Sequence, residues 1–440
     1  MANIQELCTK ALPRVIRYRR NLHKYPEAPL TEYRTACVVI ERLRELGYDV
    51  LFGDDAMDLT NIQTLLPDIE TAEAAYARAL SEGADPVLLQ RMQYHKTGVV
   101  GILCCGEGPV VGIRCDMDAV RVTESDDPDR IPCKEGFRSV HDGIHHGCGH
   151  DAHTSIGLGV AEVMAQLKAE GKLHGTLKLF FEPAEEFLAG GRAMTDRGVA
   201  DDLTRMIGVH LAIDTTKTGQ FAASATEFPT QIKYDVAYNG KVGHSGYAPE
   251  QGKNALLAAA VATVCLMGIS RHSKGNTRVN VNSLHSGVKG NNCSVPGKAE
   301  MMVELRAFSD EVLEYIVDRA RTILKFAGDM YECETVITEN TQCGAAISAV
   351  CDPEMVEILR KAAESVPEIT EFIPQASMRG AGEDATQFIL KAQKNGGYGT
   401  YVMFGSDLSN AAHTPGYDVD ERVLNIALKT LTFALADMMA

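Results

Sequence analysis

The chain has 440 residues, 45% hydrophobic and 23% charged, with a formal net charge of −16. That length exceeds one ordinary core, so a soluble globular protein of two domains is expected. The acidic balance argues against a nucleic-acid or anionic-membrane partner, and no apolar run approaches the ~20 residues that span a bilayer. The opening residues Met1–Glu6 lack the basic and apolar regions of a signal peptide, and twelve cysteines stand without framework spacing. Reduced thiols in a cytoplasm are the expectation.

In chain order, helical periods run through Arg17–His23 and Glu32–Glu45, broken at Pro26. Asp54–Gln93 is polar and acidic with a helical centre at Glu70–Ser81, and reads as an insertion or surface excursion between two strands. Short apolar strands follow at Gly98–Leu103, Val110–Cys115, Leu177–Phe181 and Met206–Leu211, with a helix from Ser155 through Met164. Such alternation predicts an α/β fold whose mainly parallel sheet is covered on both faces. Around Phe228 the texture changes. Strand Gln231–Tyr238, helix Asn254–Ile269, strands Thr277–His285 and Lys298–Ala307, helix Glu311–Gly328 and strand Glu332–Thr338 make a β-α-β-β-α-β series. That order predicts an inserted ferredoxin-like α+β domain at 227–342. The α/β pattern resumes with helices at Pro353–Ser365 and Asp384–Lys394, a strand at Gly399–Phe404 and a last helix at Glu421–Met438. The discontinuous catalytic domain is therefore expected at 1–226 and 343–440.

Gly147-Cys148-Gly149-His150-Asp151-Ala152-His153 packs a thiol, two imidazoles and a carboxylate into a glycine-spaced turn. A soft sulfur ligand two residues from an imidazole suits Zn²⁺ or a similar divalent ion. The spacing is neither a zinc finger nor a redox Cys-x-x-Cys, so further ligands must come from distant segments. Arg114-Cys115-Asp116-Met117-Asp118, Phe181-Glu182-Pro183-Ala184-Glu185-Glu186 and Gly208-Val209-His210 each end a predicted strand. The carboxyl ends of strands in an open α/β sheet face one crevice, which pools these groups into one site. His413, in the loop Ala412–Pro415, joins them on weaker grounds. Taken singly, each is ordinary: a lone histidine is more often structural, and paired aspartates near a strand end more often cap a helix. Together they supply Cys148, His150, Glu186, His210 and His413, enough for two ions, and a cation also relieves the repulsion between neighbouring carboxylates.

These segments resemble the M20 metallopeptidases, in the amidohydrolase branch that includes N-acyl-amino-acid and auxin-conjugate hydrolases. The resemblance runs over nearly the whole chain and also draws on Gly243–Pro249 and Gly382–Asp384. It implies metal ligands at Cys148, His150, Glu186, His210 and His413 for two divalent ions, Mn²⁺ or Zn²⁺. It implies Glu185 as general acid/base and Asp118 as an orienting group, with capping or support left to Asp116, Asp151 and His153. The inserted domain resembles a lid and dimerisation domain. There His244 corresponds to an imidazole that reaches a tetrahedral oxyanion across a dimer, and Arg306 to an arginine that grips the substrate carboxylate. The family's lid asparagine falls at Cys293 here, so Asn292 is assigned only with a one-residue shift. Gly382 stands for a common serine and Glu182 for a common glutamine. The implied activity is hydrolysis of the amide in a small-molecule N-acyl or N-aroyl amino acid, aminobenzoyl-glutamate foremost. A dipeptidase or general aminoacylase is the enzymatic alternative and a non-catalytic partner subunit the other. A homodimer, or a heteromer with a homologous subunit, is the expected assembly.

Overall fold

The computed structural model describes residues 2–288, 290, 293–340, 346–378 and 380–440. The chain divides into two compact units, Met1–Thr226 with Ala349–Ala440, and Glu227–Ser348. In the first unit, helices α1 (Ala2–Lys24) and α2 (Tyr33–Glu45) lead into strand β1 (Asp49–Phe52). Helices α3 (Ile69–Ser81) and α4 (Pro86–Arg91) fill the acidic excursion before strands β2 (Val99–Cys104) and β3 (Val110–Asp116). Asp68 and Asp85 begin these two helices, each accepting a backbone N–H from the first turn. Then come α5 (Ile131–Lys134), α6 (His150–Ala169), β4 (Thr176–Glu182), α7 (Gly190–Asp196), β5 (Arg205–Leu211), β6 (Gln220–Ala222) and β7 (Ala225–Thr226).

The second unit holds β8 (Thr230–Asn239), β9 (Gly243–His244), α8 (Ala255–Met267), β10 (Thr277–Ser286), β11 (Ser294–Val295), β12 (Lys298–Ala307), α9 (Asp310–Met330) and β13 (Glu334–Glu339). The first unit resumes with α10 (Pro353–Glu364), β14 (Glu371–Ile373), β15 (Ala376–Ser377), α11 (Thr386–Lys394), β16 (Tyr398–Phe404) and α12 (Arg422–Met438).

The large sheet has eight strands in the order β1-β2-β4-β3-β5-β16-β6-β14. Its centre, β4-β3-β5-β16, is parallel; β1 and β2 join antiparallel to their neighbours, and β6 runs antiparallel to β16 but parallel to β14. The central strands are buried on both faces, as their continuous apolar runs require. Alternation sorts the two faces. Ile113, Leu179, Ile207, Val209 and Val402 enter one core with α1, α6 and α12. On the other face Phe180 meets Phe388 of α11 with ring centroids 4.8 Å apart.

The most consequential difference from the sequence expectation lies at α6. The helix begins at His150, not near Ser155, so the cysteine motif is a short turn running straight into it. Gly149, at φ 90°, makes the entry, and a Cβ there would stand 2.9 Å from the Tyr417 hydroxyl oxygen. His150 and His153 consequently share a helix face at i, i+3, while Asp151 turns toward α1.

In the second unit the sheet order is β10-β12-β8-β13, antiparallel throughout. Tyr234, Val236 and Tyr238 of β8 and Met301, Val303 and Leu305 of β12 form its core with α8 and α9. The inner residues pair across the strands, Tyr234 with Val303 and Val236 with Met301, so register and burial agree.

Candidate active site

Parallel strands β3, β4 and β5 deliver Asp116, Glu182 and His210 to the same edge of the sheet, with Asp116 and Glu182 in direct register. Beyond β4, the chain turns through a 3-10 turn, Glu185–Phe187, flanked by Ala184 (φ 56°) and Leu188 (φ 54°), both left-handed. Beyond β16, parallel to β5, the loop to α12 brings up His413, whose backbone N–H donates to the Gly147 carbonyl at 2.8 Å. The residues pooled by strand-end position thus meet within the first unit.

Hydrogen bonds fix which ring nitrogens are free. His210 donates Nδ1–H to its neighbour's carbonyl, Leu211 O, at 2.7 Å, leaving Nε2 toward the Cys148 sulfur 3.6 Å away. His150 uses Nδ1 on Asp118 Oδ1 at 3.1 Å, and its Nε2, fully buried, makes no hydrogen bond. That nitrogen lies 3.8 Å from Glu185 and 3.9 Å from Glu186. His413 Nε2 stands 3.1 Å from Glu186 Oε1. Ligand atoms of Cys148, Glu186 and His413 lie within 4.8 Å of one another, as do those of His150, Glu185 and Glu186. His210 falls instead in a group with His150, His153 and Asp116 at the same spacing. These overlapping sets fit divalent ions, because an orphaned buried acceptor and crowded carboxylates are both satisfied by a cation.

His153 and Asp116 have other duties. His153 Nε2 accepts from Leu211 N at 3.0 Å and its Nδ1 donates to Asp116 Oδ1 at 2.6 Å. Asp116 Oδ2 takes Arg114 Nη1 at 2.6 Å. Both of their polar ends are consumed in supporting the site. Asp118 is the hub of the turn: besides His150 it accepts Glu185 N on Oδ1 and Glu186 N on Oδ2, each at 3.1 Å. Such a carboxylate sets both tautomer and orientation of a ligating imidazole.

Burial, followed by the neighbouring carboxylates Glu383 and Glu186, pushes the Glu185 carboxyl well above the usual carboxylate range. Burial opposes charge at Asp116 too, yet His150, His153 and Arg114 hold it well below that range. Burial raises the Cys148 thiol, and Glu186 adds to the rise. Hydrogen bonding to Cys148 and Glu186 pushes His413 up to about 10.

The sequence pattern does not reveal Glu383 as a neighbour of Glu185. Glu383 Oε1 takes Arg114 Nη2 at 2.9 Å and Ala385 N at 2.8 Å, and its other oxygen binds the Tyr401 hydroxyl. Arg114 also binds Glu182 and Asp384. The sequence marks its members in separate motifs, Arg114–Asp118, Glu182–Glu186 and Gly382–Asp384, but says nothing about contact between them. In the second unit, His244 is exposed on β9 and its Nδ1 accepts the backbone N–H groups of Gly246 and Tyr247 at 3.2 and 3.0 Å. In the neutral ring that leaves Nε2–H as a donor. Arg306 stands on β12 with Nη2 3.0 Å from Glu304 Oε1. Asn292 lies outside the described residues.

The family model for peptidase family M20/M25/M40 matches residues 112–437. The chain is 38% identical to indole-3-acetyl-aspartic acid hydrolase of Enterobacter agglomerans, over 98% of this chain and 97% of that protein. It is 37% identical to one of the subunits of p-aminobenzoyl-glutamate hydrolase from Escherichia coli, with the same coverage of each. Among solved structures, the aminobenzoyl-glutamate utilization protein of Klebsiella pneumoniae superposes with a TM-score of 0.77 at 32% identity, covering 99% of this chain and 98% of that one. The chain belongs to peptidase family M20/M25/M40.

Proposed function

We propose that the protein is a metal-dependent amidohydrolase that cleaves an N-acyl or N-aroyl amino acid, aminobenzoyl-glutamate being the preferred substrate. The observation that carries this reading is the overlap of three ligand groups around Glu185 and Glu186: Cys148 with Glu186 and His413, His150 with Glu185 and Glu186, and His150 with His210, whose Nε2 lies 3.6 Å from the Cys148 sulfur. The names of both curated relatives describe an aromatic acyl group on an acidic amino acid, which supports that substrate class.

Two divalent ions, Mn²⁺ or Zn²⁺, held by Cys148, His150, Glu186, His210 and His413 would polarise the scissile carbonyl and acidify the attacking water. Glu185 would receive the water proton as attack begins and return it to the leaving nitrogen. Asp118 keeps His150 in the Nδ1–H tautomer and fixes the turn that carries Glu185. His244, with Nε2–H available, is assigned as the oxyanion donor contributed by a partner subunit, and Arg306 as the fork that binds the substrate carboxylate. The assembly is a homodimer or a heteromer with a homologous subunit, and the cysteine usage supports a cytoplasmic location.

Chelation is expected to abolish hydrolysis of aminobenzoyl-glutamate while leaving the far-ultraviolet circular dichroism intact, with two equivalents of metal found before treatment. Glu185→Gln should lower kcat by about 10²–10⁴ with metal content retained. A metal-stripped protein with full activity overturns the reading. Faster turnover of small dipeptides or acetylated amino acids would reassign the substrate. Unchanged activity of Glu185→Gln in the presence of a partner would place catalysis in another subunit.

A further inference from the structure

Three consecutive backbone N–H groups, those of Ala184, Glu185 and Glu186, end on two buried carboxylates. Asp118 takes the second and third. The first belongs to Glu32, which lies 152 residues earlier, at the start of α2, with no exposed surface. Glu32 Oε1 accepts Ala184 N at 2.8 Å and Leu30 N at 2.9 Å, and Oε2 accepts the Thr97 hydroxyl at 2.6 Å.

The geometry around this carboxylate is costly to hold. Ala184 has φ 56° and ψ 38°, and Leu30 has φ 59°. Leu30 in turn presents its carbonyl to His95 Nδ1 at 3.0 Å, and His95 has φ 71°. Side-chain-bearing residues hold the left-handed region only where surrounding contacts over-determine it. Here three such residues, from the loop before α2, the end of the acidic excursion and the entry to the catalytic turn, are joined through Glu32 and Leu30. Ala184 is fully buried, so without Glu32 its N–H has no solvent to turn to.

We propose that Glu32 is a positioning residue for the reaction: by capturing the Ala184 N–H it sets the left-handed entry of the Glu185–Phe187 turn, and so the placement of the Glu185 carboxylate. The proposal rests on the reading of Glu185 as general acid/base. The hydrogen bonds of Glu32 go to Leu30, Thr97 and Ala184, none of them a proposed metal ligand, so its reach into the site runs through the turn. Displacement of a reacting group by an ångström is enough to lower turnover substantially while leaving substrate affinity in place.

The test compares Glu32→Ala, Glu32→Gln and Thr97→Val with the full-length wild type, using aminobenzoyl-glutamate, elemental metal analysis, and hydrogen exchange of the peptide carrying Ala184–Leu188. Glu32→Ala is expected to lower kcat per metal-loaded enzyme by about 10- to 100-fold, with KM within about twofold. Exchange protection should be lost at Ala184 and Glu185. Glu32→Gln keeps an oxygen that accepts both backbone N–H groups, and should restore kcat to within about threefold of wild type. Thr97→Val, which releases only the other oxygen, should fall between them. Wild-type kcat and exchange protection in Glu32→Ala overturn the proposal, as does a Glu32→Gln variant damaged as deeply as the alanine. If Glu32→Ala does not fold, the other two variants decide: a Thr97→Val enzyme with unaltered kcat and turn protection overturns it. Glu185→Gln, assayed alongside, separates the two claims, because full activity there removes the general acid/base reading whatever Glu32 does.

Discussion

At the scale of single residues, the site depends on side chains that bind other side chains. Asp118 spends both oxygens on His150, Glu185 and Glu186, so three groups lose their reference if it changes. Asp118→Asn keeps the size but offers an amide N–H₂ where an acceptor is needed. It should cost about 10- to 100-fold in metal affinity or kcat, read by metal titration and steady-state kinetics. Arg114 works the same way one layer deeper, a fully buried guanidinium shared by Asp116, Glu182, Glu383 and Asp384. Asp116 and Asp118 are legible in the sequence as a pair at the end of a strand. Their different duties are not, because the strand direction places both at one edge and only the neighbouring helix and turn select a partner for each.

At the scale of elements, α1 and α6 are joined by a buried polar seam. His23 of α1 contacts Asp151 of α6 at 2.8 Å and Glu124 at 3.1 Å, and Arg19 reaches Asp151 at 3.0 Å. Burial disfavours the imidazolium, but Asp151 and Glu124 overcome it and raise His23 to about 9. A histidine raised on folding stabilises fully below its unfolded value near 6.5, and that stability fades as pH climbs through 9. The shift corresponds to about 3 kcal/mol. Urea unfolding between pH 6.5 and 9.5 should therefore show wild type losing stability in that window, with a shallower loss in His23→Gln, where His413, also raised, still contributes. Equal slopes for the two proteins would remove His23 as the cause. The periodicity of α1 is readable, whereas the helical start at His150 is not. A glycine-spaced, polar stretch carries no helical period, and only the tertiary bonds to α1, β3 and β5 hold His150, Asp151 and His153 inside the helix.

At the scale of the whole molecule, the second unit has its own core and an unusual helix. In α8 the alanines Ala255, Ala258, Ala259 and Ala262 face the sheet, while Val264 and Met267 are 74% and 60% exposed. Large apolar groups outward and small ones inward is the reverse of an isolated surface helix. That arrangement supports the proposed association through this unit. Val264→Asp combined with Met267→Lys should shift the sedimentation coefficient toward the monomer without loss of circular dichroism signal. An unchanged oligomer would move the interface elsewhere. Among the described residues, no helix is long and apolar enough to cross a membrane.

Most strands and long helices are set locally, because period and apolar run length are properties of neighbouring residues. Lys298–Ala307 is bounded to the residue and Pro353–Glu364 to within one. The short strands β6, β7, β14 and β15 are invisible in the sequence, being two or three residues whose pairing partners are remote. The cysteine–histidine motif and the strand-end carboxylates mark the catalytic region from sequence, since ligand chemistry resides in residue type and parallel strands end on one edge. Tertiary structure alone decides which imidazole nitrogen stays free, which carboxylate is spent on supporting hydrogen bonds, and that Glu32 reaches the turn at Ala184. Those choices depend on hydrogen bonds between remote segments, 152 residues apart for Glu32 and Ala184 and 270 for Arg114 and Asp384, and no local pattern encodes a partner at such distances.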